Sequence, residues 1–243
     1  MKNALAPEQL EALRRLSTCV VSNAIESFDV RLRNTGFADA SIRCIFEDFP
    51  PIVGYAATAR VRTSVPPMHG HNYLDRTDWW NAILEIPAPR IVVVEDVEKH
   101  AGLGSFVGEV HANILSALGC VGVVTNGAVR DLPQVRSTGF QLFAGNVAVS
   151  HAYAHIFQFG IPVEIGNLKV EPGDLLHGDR HGILKVPVEL ASKVPTVARE
   201  IQEKEQQIIA LCRSADFSLD KLRGLFRSSN QEPKEVNGGR FKG

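Results

Sequence analysis

The stretch "VGEVHANILSALGCVGVVTNGAVRD" carries two pairs able to do chemistry, Gly108-Glu109 and Arg130-Asp131, with residues 110–129 between Glu109 and Arg130. Arg130 offers a planar fork of donors that stays charged at any working pH, and this fork can hold an α-keto acid by its carboxylate and carbonyl oxygen. Adjacent side chains at a strand end point apart, so Asp131 is expected to turn away from Arg130. A loop carboxylate facing a pocket is a hard-cation ligand, suited to Mg²⁺ or Mn²⁺ that keeps several waters. Glu109 can join it directly or through water. Gly108 lets backbone N–H groups at a helix start approach an anion, and the helix partial charge adds attraction. A second reading stays open on local pattern alone, in which the pair is two surface charges or capping groups.

The elements that must position these groups follow from periodicity. "RIVVVEDV" is a short continuous apolar run, as in a strand buried on both faces. "SFVGEVHANILSALG" reads as a helix with Val107, Val110, Ile114 and Leu118 on one side and Gly119 as its stop. "CVGVVT" is a second buried strand. Strand, helix and strand with short joints make a right-handed parallel βαβ unit, with "TNGAVRD" as the loop at its carboxyl end, where open α/β sheets place ligands. "LPQVRSTG" then gives a short helix and "FQLFAGNVA" a strand.

Upstream, Leu10, Leu13 and Leu16 have helical spacing over Pro7–Leu16, and Ser22 can cap a second helix running to Phe28. These helices are expected as an N-terminal lid. "IVGYAATARVRT" reads as a strand, followed by a Pro- and Gly-rich loop in which His69, His71 and Asn72 can line a site. Downstream, "IPVEIGNLKVEPGDLLHGDRHGILKVP" alternates and is broken by turn residues, which predicts antiparallel hairpins. Val188–Cys212 reads as a charged amphipathic helix, and the chain after Phe226 as disordered. The expected division is a main unit over residues 1–190, a helical extension over 191–226 and a tail over 227–243.

With 243 residues, 26 Lys+Arg against 27 Asp+Glu and a formal net charge of -1, the chain has no overall field to hold it on nucleic acid or an anionic membrane. A small-molecule partner is favoured. No run reaches the ~18 apolar residues of a spanning helix, and the N-terminus lacks a signal peptide's apolar core, so the expected compartment is the cytoplasm. Cys19, Cys44, Cys120 and Cys212 lack paired spacing and read as reduced structural thiols. His177 and His181 have no third ligand at zinc spacing, and "PGDLLHGD" lacks the Gly-Lys-Ser/Thr of a phosphate loop, so neither zinc nor a nucleotide is expected. Trp79 and Trp80 read as core anchors.

The Gly-Glu to Arg-Asp stretch resembles the signature of the RraA-like family, which includes class II 4-hydroxy-4-methyl-2-oxoglutarate/4-carboxy-4-hydroxy-2-oxoadipate aldolases and the ribonuclease E activity regulator RraA. The segment from Ile161 to Pro187 also resembles that family's C-terminal motif. The resemblance implies an α/β fold, a three-layer β/β/α swivelling domain with N-terminal helices and a C-terminal helix, assembled as a homotrimer or homohexamer. It implies a substrate-anchoring turn at Gly108, Glu109, Val110 and His111, a pyruvate-binding Arg130 and a metal-binding Asp131, with Glu109 standing where the aldolases often have Asp. The implied activity is a divalent-metal-dependent lyase that cleaves a 4-hydroxy-2-oxo acid to pyruvate through an enolate and also decarboxylates oxaloacetate. The alternative is a non-catalytic regulator of ribonuclease activity acting by protein binding.

Overall fold

The run "IVVV" is buried on both faces because helices cover one side of its sheet and a β-hairpin covers the other. The computed structural model describes residues 4–67 and 76–229. The chain begins with α1 (Pro7–Arg14), α2 (Thr18–Glu26), β1 (Arg43–Cys44), β2 (Ile52–Arg62) and α3 (Arg76–Glu85). It continues with β3 (Arg90–Asp96), β4 (Ser105–Val107), α4 (Glu109–Ala117), β5 (Cys120–Val129), α5 (Leu132–Ser137) and β6 (Gln141–Val147). It closes with β7 (His155–Phe159), β8 (Val163–Ile165), β9 (Leu168–Val170), β10 (Leu175–Asp179), β11 (Gly182–Val186), α6 (Val194–Arg213) and α7 (Leu219–Ser229).

Nine strands make one mixed sheet in the order β1-β6-β5-β3-β2-β10-β11, with β4 beside β5 and β7 beside β2. β3 runs parallel to β2 and β5, and β5 parallel to β6, as the βαβ pattern predicts. Val92 and Val94 of β3 pack with Trp79 and Ile83 of α3, Leu115 of α4 and Val135 of α5. Ile91 and Val93 face the β8–β9 hairpin through Val163, Ile165 and Val170. The two faces of one strand thus join the helical layer to the small β layer, which is the expected β/β/α arrangement.

Several local expectations are corrected. α2 starts at Thr18, where the Ser17 hydroxyl accepts the Val20 N–H at 3.4 Å, and not at Ser22. The N-terminal helices form no lid over the Arg130 cavity; Leu10, Leu13, Val21 and Ala24 share a core with Val194 and Ala198 of α6 and with Tyr55 and Leu184 of the sheet. Cys19 is exposed. Residues 105–107 are a strand rather than the first helical turn, and Val110 is 70% exposed while Ala112 and Leu115 form the buried face of α4. α6 begins at Val194, after turns through residues 187–193, with Pro195 in its first turn. α7 continues past Phe226 to Ser229, and the rest of the expected tail, residues 230–243, lies outside the described residues, as does the loop with His69, His71 and Asn72.

The largest departure concerns "TNGAV", which is strand and not loop. β5 runs to Val129, with a register shift against β6 between Thr125 and Ala128. At the irregularity the Asn126 side chain stands in for backbone, accepting the Asp96 N–H at 2.7 Å and donating to the Asp96 carbonyl at 2.9 Å. Gly127 fits beside it because a Cβ there would lie 3.1 Å from the Asp96 Cβ. The sheet is thereby extended far enough to deliver Arg130 and Asp131 beyond its edge.

His177 ties the N-terminal helices to β10. Its Nε2–H donates to the Leu13 carbonyl at 3.1 Å, so Nδ1 is the acceptor for the Thr18 hydroxyl, also at 3.1 Å. Neighbouring Asp179 accepts the Thr18 N–H at 2.9 Å. Complete burial pushes the His177 imidazole below its ordinary value of 6.5, against the weaker upward pull of its bonds to the backbone. The unfolded chain therefore takes up the proton first, and the stabilisation present above about pH 6.5 is lost as pH falls. Thermal melts from pH 8 to pH 5 are expected to show a falling Tm, with a flatter profile in His177→Asn; an unchanged slope in that variant would remove His177 as the cause.

Candidate functional site

Arg130 and Asp131 lie where β5 ends, and the backbone between them determines what they can do. Arg130 N–H donates to the Val107 carbonyl at 2.9 Å, which fixes the strand end to β4. Asp131 then takes a left-handed conformation, φ 53° and ψ 40°, which Asp tolerates better than most residues. This breaks the alternation on which divergence was predicted. The two side chains converge, with Arg130 Nε 3.3 Å from Asp131 Oδ2. The correction is therefore geometric: strand alternation does not extend into a residue with positive φ.

The carboxylate also caps a neighbouring helix. Asp131 Oδ2 accepts the Glu109 N–H at 3.1 Å, placing its negative charge at the N-terminus of α4. Gly108 is needed there because any Cβ would collide with Asp131 Oδ2 and press on Arg130. Arg130 Nε is buried and makes no hydrogen bond despite its contact with Asp131, which lacks hydrogen-bond alignment. The rest of the guanidinium is partly exposed, and its fork of donors can take a bound anion.

These groups open onto a cavity of about 410 Å³. Gly108, Val110, His111, Arg130 and Asp131 line one side, while Trp79, Trp80, Phe106 and Ile156 form an aromatic and aliphatic wall with His151 and His155 beside it. The helix start, Arg130 and Asp131 are thus brought together as one surface. Glu109 is not: its backbone N–H serves Asp131, but its side chain is exposed and does not line the cavity. Glu109 is the first residue of α4, where its backbone N–H is taken up by Asp131 while its side chain stays in solvent.

Two contributions escape sequence reasoning, the tryptophan wall and the histidines near β7, whereas His111 was already named by the family resemblance. Trp79 is 2% exposed and packs edge-on to Phe106 with ring centroids 5.8 Å apart, so it anchors the core as expected, yet it also borders the cavity with Trp80. His111 lies against Phe106 at 4.9 Å. His151 arrives from the turn before β7 and His155 from the first position of β7, and only the spacing of "HAYAH" in the sequence could have flagged them.

The Aldolase/RraA description of the RraA-like family matches residues 18–185. The chain belongs to the RraA-like family. A relative from Halalkalibacterium halodurans named "Putative 4-hydroxy-4-methyl-2-oxoglutarate aldolase" is 25% identical over 120 residues, covering 49% of this chain and 57% of that one. The chain spans about half the length of the first curated relatives it matches. Two solved structures share the RraA-like fold. One is an uncharacterized protein from Pseudomonas syringae, with TM-score 0.69, 23% identity and coverage of 92% of this chain and 96% of that one. The other is RraAS2 of Streptomyces coelicolor, described as an unusual member of the RNase ES inhibitor RraA protein family, with TM-score 0.66, 20% identity and coverage of 85% and 98%. The family thus includes relatives named for aldolase chemistry and for ribonuclease inhibition. Among the described residues, no helix of this chain is long and apolar enough to cross a membrane.

Proposed function

We propose that this protein is a divalent-metal-dependent lyase that cleaves a 4-hydroxy-2-oxo acid to release pyruvate, with oxaloacetate decarboxylation as a side activity. The observation that carries this reading is Arg130, whose partly exposed side chain lines a cavity large enough for a small acid beside the N-terminus of α4, and whose Nε makes no hydrogen bond. A 2-oxo acid supplies the missing acceptor. When the C3–C4 bond breaks, its electron pair forms the C2–C3 double bond and charge accumulates on the former keto oxygen. Arg130 holds the substrate carboxylate and that oxygen, so its attraction grows as the charge develops.

The donor set also fits the proposed ion. Asp131 would hold it, and one carboxylate with water and substrate completing the shell suits Mg²⁺ or Mn²⁺ better than a closed cage of protein ligands. Among the described residues no group of three His, Cys, Asp or Glu side chains could hold a metal ion, so Asp131 is the ligand this reading commits to. When bound, the ion supplies positive charge to the developing enolate. Gly108 and His111 line the substrate's path, and Glu109 contributes through its backbone rather than as a second ligand.

The chain is further proposed to work as a homotrimer or homohexamer. Val110, Val149 and Tyr153, 70%, 97% and 53% exposed, lie in or next to the segments that line the cavity and would be covered by a neighbouring subunit. Residues 191–226, including α6 and most of α7, are proposed as an extension that adds to this contact. A panel of 4-hydroxy-2-oxo acids tests the activity. Pyruvate is expected from at least one of them when Mg²⁺ or Mn²⁺ is present, and no pyruvate from any would favour the non-catalytic ribonuclease-regulator reading.

A further inference from the structure

We propose that His155 is the acid-base group of this cavity, taking the C4 hydroxyl proton of a 4-hydroxy-2-oxo acid as the C3–C4 bond breaks. The proposal rests on the lyase reading above and adds the residue that moves the proton.

Retro-aldol cleavage needs a base as well as an electron sink, because the C4 oxygen must lose its proton to become a carbonyl. Among the described residues lining the cavity, Asp131 is the sole carboxylate, and there is no Lys, Cys or Tyr. Asp131 is already engaged by the Glu109 N–H and by Arg130. Among the described residues the base is therefore to be sought in His111, His151 and His155. His151 is exposed, and His111 lies on the Phe106 ring. His155 is 8% exposed and has its tautomer determined by its surroundings.

That determination is specific. His155 Nδ1 lies 2.6 Å from the Tyr153 carbonyl, and since a carbonyl only accepts, Nδ1 carries the hydrogen. In the neutral ring the lone pair is then on Nε2, at the opposite edge, and with His155 lining the cavity the proposal assigns this nitrogen to the substrate. The supporting turn is held at several points. Tyr153 N–H donates to the Thr63 carbonyl at 3.1 Å, Ser105 N–H to the Ser150 carbonyl at 2.9 Å, and Ala152 N–H to the Ser150 hydroxyl at 3.0 Å. Gly104 leaves the space in which the His151 carbonyl sits. β7 continues the hold by pairing His155 with Arg62 of β2. A ring positioned in this way loses little freedom when substrate binds.

The proton inventory balances. Nε2 accepts the C4 hydroxyl proton, the C4–O bond becomes a carbonyl, and the C3–C4 pair moves into the C2–C3 double bond of the enolate. The imidazolium then returns its proton to C3, giving pyruvate and a free aldehyde or ketone. Decarboxylation of oxaloacetate forms the same enolate with no hydroxyl proton to remove, and the released enolate can take its C3 proton from water.

This difference provides the test. His155→Asn keeps an N–H where Nδ1–H bonds to Tyr153 but deletes Nε2. With whichever 4-hydroxy-2-oxo acid the wild type cleaves, kcat is expected to fall about a hundredfold or more with KM little changed. Oxaloacetate decarboxylation should stay within about threefold of wild type, and added imidazole should restore part of the lost aldol cleavage. Full aldol cleavage in the variant overturns the proposal. So does an equal loss of both reactions in a folded protein, with His155→Gln used in its place if the Asn variant is poorly folded. A wild-type protein that performs neither reaction fails earlier, and overturns the lyase reading itself.

Discussion

Asp131→Asn is expected to remove metal-dependent turnover, with at least about a hundredfold loss in kcat, while leaving the melting temperature nearly unchanged. Asn tolerates the left-handed backbone almost as well as Asp, and its side-chain oxygen can still accept the Glu109 N–H. What it loses is the negative charge that would hold a cation. Asp131→Ala is a poorer test because it removes the cap of α4, worth about 1 kcal/mol, and puts a Cβ-bearing apolar residue at φ 53°. Turnover measured across a Mg²⁺ or Mn²⁺ titration, beside a thermal melt, separates the two effects. Wild-type metal stimulation in the Asn variant would take Asp131 out of the site.

Arg130→Ala is expected to cost on the order of 3–4 kcal/mol in transition-state stabilisation, about a hundredfold or more in kcat/KM. Arg130→Lys should fall between it and wild type, since an ammonium keeps the charge but not the two-pronged grip on carboxylate and keto oxygen. Neither variant should melt much lower. The Arg130–Asp131 contact joins side chains that are 28% and 34% exposed, and it lacks hydrogen-bond alignment, so water screens most of its stabilising effect. A lowered Tm with normal kinetics would make the pair scaffolding.

The order of elements around this site was legible because it depends on local apolar periodicity. "RIVVV" and "CVGVV" could be read as doubly buried strands, and the helix between them follows from its Gly-bounded ends. The exact path of "NGAVRD" was not legible. Asn-Gly is ordinarily turn punctuation, but here the Asn126 amide replaces two ladder bonds with Asp96, a partner 30 residues away, and the strand continues. The same limit explains Asp131. Alternation predicts that neighbours diverge, whereas a positive φ, supported by the Glu109 N–H across 22 residues, brings them together. His155 had only the spacing of "HAYAH" as a local mark, since its place in the cavity comes from β7 pairing with β2.

The central claim is that Arg130 and Asp131 form a site where a 2-oxo acid is converted to an enolate with the help of a divalent ion. The most direct measurement is the initial rate of pyruvate formation from oxaloacetate by the purified wild-type protein, Arg130→Ala and Asp131→Asn, each with chelator and with added Mg²⁺ or Mn²⁺, corrected for the ion's own reaction. The predicted result is a wild-type rate that depends on the ion and is lost on chelation, with both variants near background although folded. Protein-catalysed pyruvate formation that is the same with chelator as with metal, or the same in both variants as in wild type, would contradict it.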